Sequence, residues 1–321
     1  MGYKGGIMNK IIVMVGVLDN KTSSNLEQVS SFYNLGFGVI PINYRTIIQR
    51  YDIGTFEDIL LETVKKYKPF LTIFYKCNGI NSEIITQCNE YTNTWLYYMD
   101  SLFTAVTIGT PRYPEIIEHA KRTHFSSCTG SDIVEWFTDN GVKNCYHIIQ
   151  GVDIKTFKPV PQNDKYKSTV SLIGYKTDER DRIKATLERG GFDVKFYGRG
   201  YGEEVYLDDF AQVCSSSKIM LSMDSESGIH KGYFSNRLTK YLACGSCVLH
   251  YDITGTLNQF FKNGKEIFYF KNEGELITLL NSITDEVAYK VGMDGRERVV
   301  SSFTWEHVSS AMLNIVAENR Q

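Results

Sequence analysis

The chain is predicted to be an α/β protein with two doubly wound parallel sheets, and three observations carry that prediction. Apolar, largely β-branched runs alternate with amphipathic stretches from Lys10 to the last helix. The alternation breaks once, at Phe157 to Lys165, where two prolines stand in a segment without periodicity. The length of 321 residues exceeds what one small core organises and suits two domains of about 150 residues each. The first domain is read as 1–156, the second as 165–303, and 157–164 as the linker.

In chain order, Met1 to Ile7 reads as a disordered lead, and Met8-Asn9-Lys10 has the form of a second start. Lys10 to Val17 is a strand rich in Ile and Val that ends at Gly16. A polar loop, Asp19 to Ser24, precedes a helix from Asn25 to Asn34, and Gly36 stops it before strand Val39 to Ile42. Strand, helix, strand is one βαβ unit, so the sheet is parallel with a right-handed crossover. Helix Thr55 to Tyr67 closes on Lys65, Lys66 and Lys68, which suit a helix C-terminus, and Pro69 breaks it before strand Phe70 to Tyr75. The same alternation predicts helix Asn81 to Asn89, strand Thr94 to Met99 ending at Asp100, and helix Pro114 to Arg122. Strand Phe125 to Cys128, helix Ser131 to Asn140 and strand Cys145 to Ile149 complete this half. Beyond the prolines come strand Thr169 to Ile173, helix Arg180 to Arg189, strand Asp193 to Tyr197, a helix around Asp208 to Cys214 and strand Ile219 to Met223. The helix opened by Ser235 and stopped by Gly245 leads into strand Cys247 to Leu249. Strand Glu266 to Phe270, helices Glu273 to Ile283 and Val287 to Val300, and a last helix from Thr304 finish the chain.

Composition narrows the function classes. A hydrophobic fraction of 42% and a charged fraction of 22% are those of a soluble globular protein. The net charge of −2 supplies no global attraction to nucleic acid or anionic membrane, although a local basic face stays open. No apolar run reaches the roughly 20 residues of a membrane span, and no secretory leader is legible. Seven cysteines, irregularly spaced apart from one C-x-x-C at Cys244-Gly245-Ser246-Cys247, predict free thiols in a reducing cytoplasm. Cys244 and Cys247 read as small packing residues.

The densest chemistry lies at Ser235 to Leu249. A glycine-bearing loop with Gly228 and Gly232 delivers a helix whose first turn carries Arg237. Free backbone N–H groups, the helix dipole and a guanidinium together favour a phosphate there. An ordinary capped surface helix is the plain alternative. In doubly wound folds ligands meet the carboxyl ends of strands, which gives weight to Gly16, Asp100, Gly174 and the turn Gly198-Arg199-Gly200. Gly16 is one glycine where a dinucleotide fingerprint needs three, so a tight turn is the better reading.

Three blocks then carry a resemblance. The first is Lys68-Pro69-Phe70-Leu71 followed by a strand ending in Met99-Asp100; the second is Gly151-Val152-Asp153 followed by Phe157-Lys158-Pro159. The third is Ser235 to Val248, then Gly264-Lys265-Glu266, Glu275-Leu276 and Arg296 to Trp305. In order and spacing they resemble the GT-B glycosyltransferases, in particular the group-1-type, spore-maturation CgeB-like branch. The resemblance implies two Rossmann-like domains facing across a cleft, with helix 304–321 packing back onto the first domain. It implies a nucleotide-diphosphate sugar, a UDP-sugar foremost, as donor substrate in the second domain, and an acceptor in the first. It also implies donor contacts from Gly174, Lys176 and Arg180, with Arg237 leading, then Ser235 and Asn236, and further contacts from Arg199 and His230. Asp100 is the candidate base, with helix capping as its alternative role. The family's paired glutamates fall here on Gly232 and Lys240, so their roles do not carry over; Glu226 is a nearby substitute. Lys240 reads either as a phosphate contact or as a solvated surface lysine.

No D-x-D occurs, so an essential metal is not implied and no tightly bound cofactor is expected. With 21 Tyr and 18 Phe, ring stacking on sugar or base is open to Tyr44, Tyr97, Tyr98 and Tyr113, though core packing accounts for most such residues. His119 and His124 read as packed or exposed. The acceptor stays open among a glycan, a protein, a small molecule and a modified nucleic-acid base. Two further readings are a nucleotide-sugar epimerase of the same fold and a donor-binding, non-catalytic relative.

Overall fold

A computed structural model describes residues 10–20, 22–104, 109–224 and 230–319. The expected lead Met1 to Ile7 and the candidate Glu226 therefore lie outside the described residues. The chain divides into two compact units, one formed by the residues up to Gln150 together with Trp305 onward, the other by Gly151–Thr304.

The first unit is a six-stranded parallel sheet, β1 (Ile11–Gly16), β2 (Gly38–Asn43), β3 (Leu71–Tyr75), β4 (Asn93–Tyr98), β5 (Phe125–Cys128) and β6 (Cys145–His147), in the order β2-β1-β3-β4-β5-β6. Side chains alternate between its faces, and both faces are covered. Val13, Val15, Phe74 and Leu96 join one core with Phe56, Leu60 and Val64 of α3 (Ile53–Tyr67). Ile12, Met14, Ile73, Trp95 and Tyr97 join the other with Phe32 of α1 (Ser24–Asn34). The last helix packs into that second core through Trp305, Met312 and Val316, and its Ser309 hydroxyl lies 2.6 Å from that of Ser31. Polar caps set the helix starts: Ser23 accepts the Asn25 N–H, and Asp52 accepts the Thr55 N–H at 2.6 Å. Residues Tyr44–Arg50, to which the sequence reading assigned no element, form a short helix, α2. The remaining helices are α4 (Glu83–Asn89), α5 (Glu115–Arg122) and α6 (Ser131–Asp139).

The second unit repeats the plan with five parallel strands, β7 (Ser168–Ile173), β8 (Val194–Tyr197), β9 (Ser217–Ser222), β10 (Cys247–Tyr251) and β11 (Phe268–Phe270), ordered β11-β10-β9-β7-β8. Helices α7 (Asp178–Arg189), α8 (Leu207–Ser216), α9 (Asn236–Ala243), α10 (Glu273–Ser282) and α11 (Asp285–Ser302) surround it, and α12 (Trp305–Glu318) is the helix returned to the first unit. Segment 157–164, taken for a linker because of its prolines, is docked on this second unit. Phe157 is buried, and the N–H groups of Val160 and Asn163 donate to the hydroxyls of Ser215 and Ser216.

In each sheet the strand order reverses once, between β1 and β3 and between β7 and β9. Loops diverge at such a point and leave a crevice at the strands' carboxyl ends. No helix among the described residues is long and apolar enough to cross a membrane.

Helix α11 approaches the end of α9 so closely that a Cβ on Gly292 would lie 2.2 Å from the Gly245 carbonyl oxygen. Gly292→Ala is expected to destabilise the protein by about 1–3 kcal/mol through overpacking, reversing the usual helical gain from alanine. Chemical unfolding measures it; a variant as stable as the parent would contradict this packing.

Candidate functional site

The reversal between β7 and β9 gathers the principal candidates. Strand β7 runs into Gly174, and β9 runs into Met223 and Asp224. Thr177 caps α7 by accepting the Arg180 N–H, which sets Arg180 in the first turn with its side chain turned inward and only 2% exposed. Its guanidinium donates to the carbonyls of Tyr175, at 2.6 Å, and Met223, and it lies 4.9 Å from the Tyr175 ring. Arg237, in the first turn of α9, donates to Asp224 Oδ1 at 2.6 Å. The two guanidiniums converge over Gly174: a Cβ there would meet Arg180 Nη1 at 2.8 Å and Arg237 Nη1 at 2.9 Å. A side chain at that position would have to displace the guanidiniums, whereas its φ, outside the left-handed region, does not itself call for glycine.

Asp224 organises the arrangement. Its buried carboxylate accepts the Ser235 N–H at 2.9 Å, the Ser235 hydroxyl at 2.6 Å and Arg237. The Ser235 hydroxyl donates to Asp224 and makes no cap bond to α9. Burial works to raise the Asp224 pKa, but Arg237, His250 and the Ser235 hydrogen bonds together hold it below the usual carboxylate range. Burial and the charge of Arg237 lower the pKa of Arg180. For Arg237 burial acts downward as well, and the Asp224 carboxylate overrides it. One buried guanidinium, Arg180, and one half-buried guanidinium, Arg237, share the single nearby carboxylate of Asp224, which leaves an excess positive charge that favours an anion.

The neighbouring candidates play other parts. Lys176 is exposed and paired with Asp181 at 3.0 Å, and Arg199 is exposed. The turn 198–200 buttresses the Gly174 loop: the Lys176 N–H donates to the Arg199 carbonyl at 2.8 Å, and Gly198, at φ 121°, has no room for a Cβ against the Gly174 carbonyl. His230 is buried, with its ring centroid 6.0 Å from that of Tyr233. Asn236 opens α9, and its carbonyl accepts the Thr239 hydroxyl. Lys240 is not a solvated surface lysine. It is buried on the inward face of α9, its ammonium 4.4 Å from the centre of the Phe157 ring.

Gly16 and Asp100 belong to the first unit. A Cβ on Gly16 would lie 2.9 Å from Asn25 Nδ2 and 3.2 Å from the Tyr75 Cβ, so packing accounts for that glycine. Asp100 follows β4 and is ion-paired with Lys76. Tyr97 and Tyr98 are wholly buried and bond to the backbone of Ile149 and Ser101, which makes them core residues. His119 and His124 are tied to Ile80 and Thr94. Asp224 and Lys76 were missed in sequence, although each stands next to a strand's carboxyl end, the criterion that selected Asp100.

His250 on β10 is buried, with Nδ1 2.8 Å from the Ser222 hydroxyl. Burial lowers its pKa; Asp224 and Asp252 pull upward and Arg237 pulls down. Its folded pKa therefore lies below the unfolded value of about 6.5. The stability it contributes is complete above about pH 6.5 and is lost as pH falls through the folded value. Asp224, also depressed, acts in the same direction below about pH 4. Denaturant titrations across this range are expected to show stability falling on acidification, and His250→Gln should flatten the fall between neutrality and the carboxylate range.

Comparison with known proteins follows the same division. Residues 180–314, which include Arg180, Asp224, Ser235 and Arg237, match a family model described as glycosyl transferase-like. No curated protein sequence matches the chain. Among solved structures, a sucrose-phosphate synthase from Thermosynechococcus elongatus is 14% identical with a TM-score of 0.66, over 96% of this chain and 98% of that one. A glycosyltransferase from Rickettsia africae is 12% identical with a TM-score of 0.67, over 97% and 99%. The Anabaena protein HepE, solved in complex with UDP-glucose, is 12% identical with a TM-score of 0.62, over 96% and 99%. Two parallel-sheet α/β units, matched over nearly their whole length by glycosyltransferases of this architecture, identify the fold as GT-B.

Proposed function

We propose that this chain is a glycosyltransferase that moves a sugar from a nucleotide-diphosphate donor, a UDP-sugar foremost, to a hydroxyl of an acceptor. The observation that carries the reading is the convergence of Arg180 and Arg237 over Gly174, with Asp224 between the loops. A diphosphate matches that site in charge and in its capacity to accept several N–H bonds. The family match over 180–314 supports the same chemistry for the second unit. The three motif blocks are the basis for assigning the CgeB-like branch. Seven free thiols among seven cysteines suit a reducing cytoplasm, the compartment we assign.

In the transfer, the acceptor oxygen bonds to the anomeric carbon while the bond from that carbon to the diphosphate oxygen breaks. Negative charge grows on the departing diphosphate, and Arg180, Arg237 and the amino end of α9 stabilise it there without requiring a metal. In an inverting transfer Asp100 would take the acceptor's hydroxyl proton, and the Lys76 ammonium would orient its carboxylate. Gly174, Ser235, Asn236, Lys176, Arg199 and His230 are proposed as the surrounding donor contacts, with Lys240 supporting α9 from within.

Arg237→Ala is expected to weaken UDP binding by about 10- to 100-fold in calorimetry, the loss of a charge-assisted contact. Unchanged affinity in the folded variant would overturn the site. Asp100→Asn should leave UDP affinity intact and lower transfer by about 10²–10⁴-fold; undiminished turnover removes it as the base. Isomerisation of the donor without an acceptor would favour an epimerase instead.

A further inference from the structure

The first sheet also reverses its strand order, between β1 and β3, and there too the structure gathers cations. A cavity of about 280 Å³ opens at the carboxyl ends of β1 to β4. Its walls include Ser24 and Asn25 at the amino end of α1, Tyr44 and Arg45 after β2, Tyr75 and Lys76 at the end of β3, and Met99 after β4. We infer that this cavity receives a phosphate group carried by the acceptor, so that the acceptor is a phosphorylated compound. The inference rests on the transfer reading for the word acceptor, while phosphate binding in the cavity stands or falls independently.

The charges support an anion. Arg45 is exposed at the wall, its Nε donating to the Tyr44 hydroxyl at 3.0 Å, and its guanidinium carbon stands 5.7 Å from the Tyr44 ring centre. Tyr44 itself is buried and so provides a fixed support. Lys76 supplies the second cation, and Asp100 answers only one of the two. Asp19, in the loop after β1, is engaged by the Thr46 hydroxyl.

The backbone presents Lys76 deliberately. Lys76 and Cys77 follow one another in the left-handed region, at φ 57° and 56°, where non-glycine residues are disfavoured. The Cys77 N–H to Tyr75 carbonyl bond of 2.6 Å and the Lys76 N–H to Tyr97 carbonyl bond of 3.2 Å hold that turn. The amino end of the eleven-residue α1 adds the positive end of its dipole to the same wall. A fork-shaped guanidinium, an ammonium and a helix amino end suit a tetrahedral dianion better than a neutral sugar hydroxyl.

The test saturates the protein with UDP, so that the second unit's arginines are occupied, and then titrates inorganic phosphate while the amide resonances of Ser24, Asn25 and Lys76 are followed. Saturable shifts at these amides are expected in the parent protein. Arg45→Met, at an exposed position, and separately Lys76→Met should each weaken phosphate by about tenfold or more, with UDP affinity as the check on folding. Glucose 6-phosphate should produce the same shifts, and glucose at equal concentration should not. The absence of shifts at these amides, unchanged phosphate affinity in both variants, or equal binding of glucose and its phosphate would each overturn the inference. Phosphate binding here in a protein that fails to bind UDP would uphold this cavity and defeat the donor reading.

Discussion

The arrangement of the second unit depends on the buried carboxylate of Asp224. Without it the half-buried guanidinium of Arg237 would lose its counter-charge. Through the Ser235 N–H and hydroxyl, the same carboxylate fixes where α9 begins. Through Arg237 it fixes one of the two guanidiniums over Gly174. The other, Arg180, is placed by the cap of α7 and by carbonyls of both flanking loops, including the Met223 carbonyl next to Asp224. One acidic group thus couples a helix start, a strand end and an arginine pair.

The two sheets apply the same topological rule to different chemistry. Where strand order reverses, neighbouring loops part and leave backbone and side chains able to face a ligand. In the second unit the gap is filled by a buried and a half-buried guanidinium that close over a glycine. In the first it is a small cavity with one exposed arginine, one lysine and hydroxyl or amide side chains from the start of α1. The first site is solvated and adaptable. The second is the more buried, with Arg180 and Asp224 almost wholly enclosed, so its charges act more strongly.

Several features were readable from local pattern because local physics sets them. Alternating β/α signals, the Ser and Asp caps and the glycine stops all act within a few residues, and they located most strands and helices. Helix α2 escaped because Tyr44–Arg50 is short, β-branched in part and lacks a side-chain cap, so nothing local separates it from a strand end. Segment 157–164 looked like a linker because prolines mark irregular backbone; they do not report that the Val160 and Asn163 N–H groups find serine hydroxyls more than fifty residues away. The burial of Lys240, which removes its solvated-surface alternative, was not legible because the inward face of α9 is set by what packs on it, including Phe157.

What the sequence by itself determined is the class of fold, the succession of elements and the clustering of Ser235, Asn236 and Arg237 at the start of α9. These follow from hydrophobic period, capping chemistry and the dipole of a helix, all carried by adjacent residues. Only the tertiary structure decided that Arg180 and Arg237 meet over one glycine, that Asp224 holds Arg237, and that Lys76 pairs with Asp100. Residues dozens of positions apart are brought together by the strand order β9-β7 in one sheet and β3-β4 in the other. Strand order is a property of the packed sheet, and no single segment encodes it.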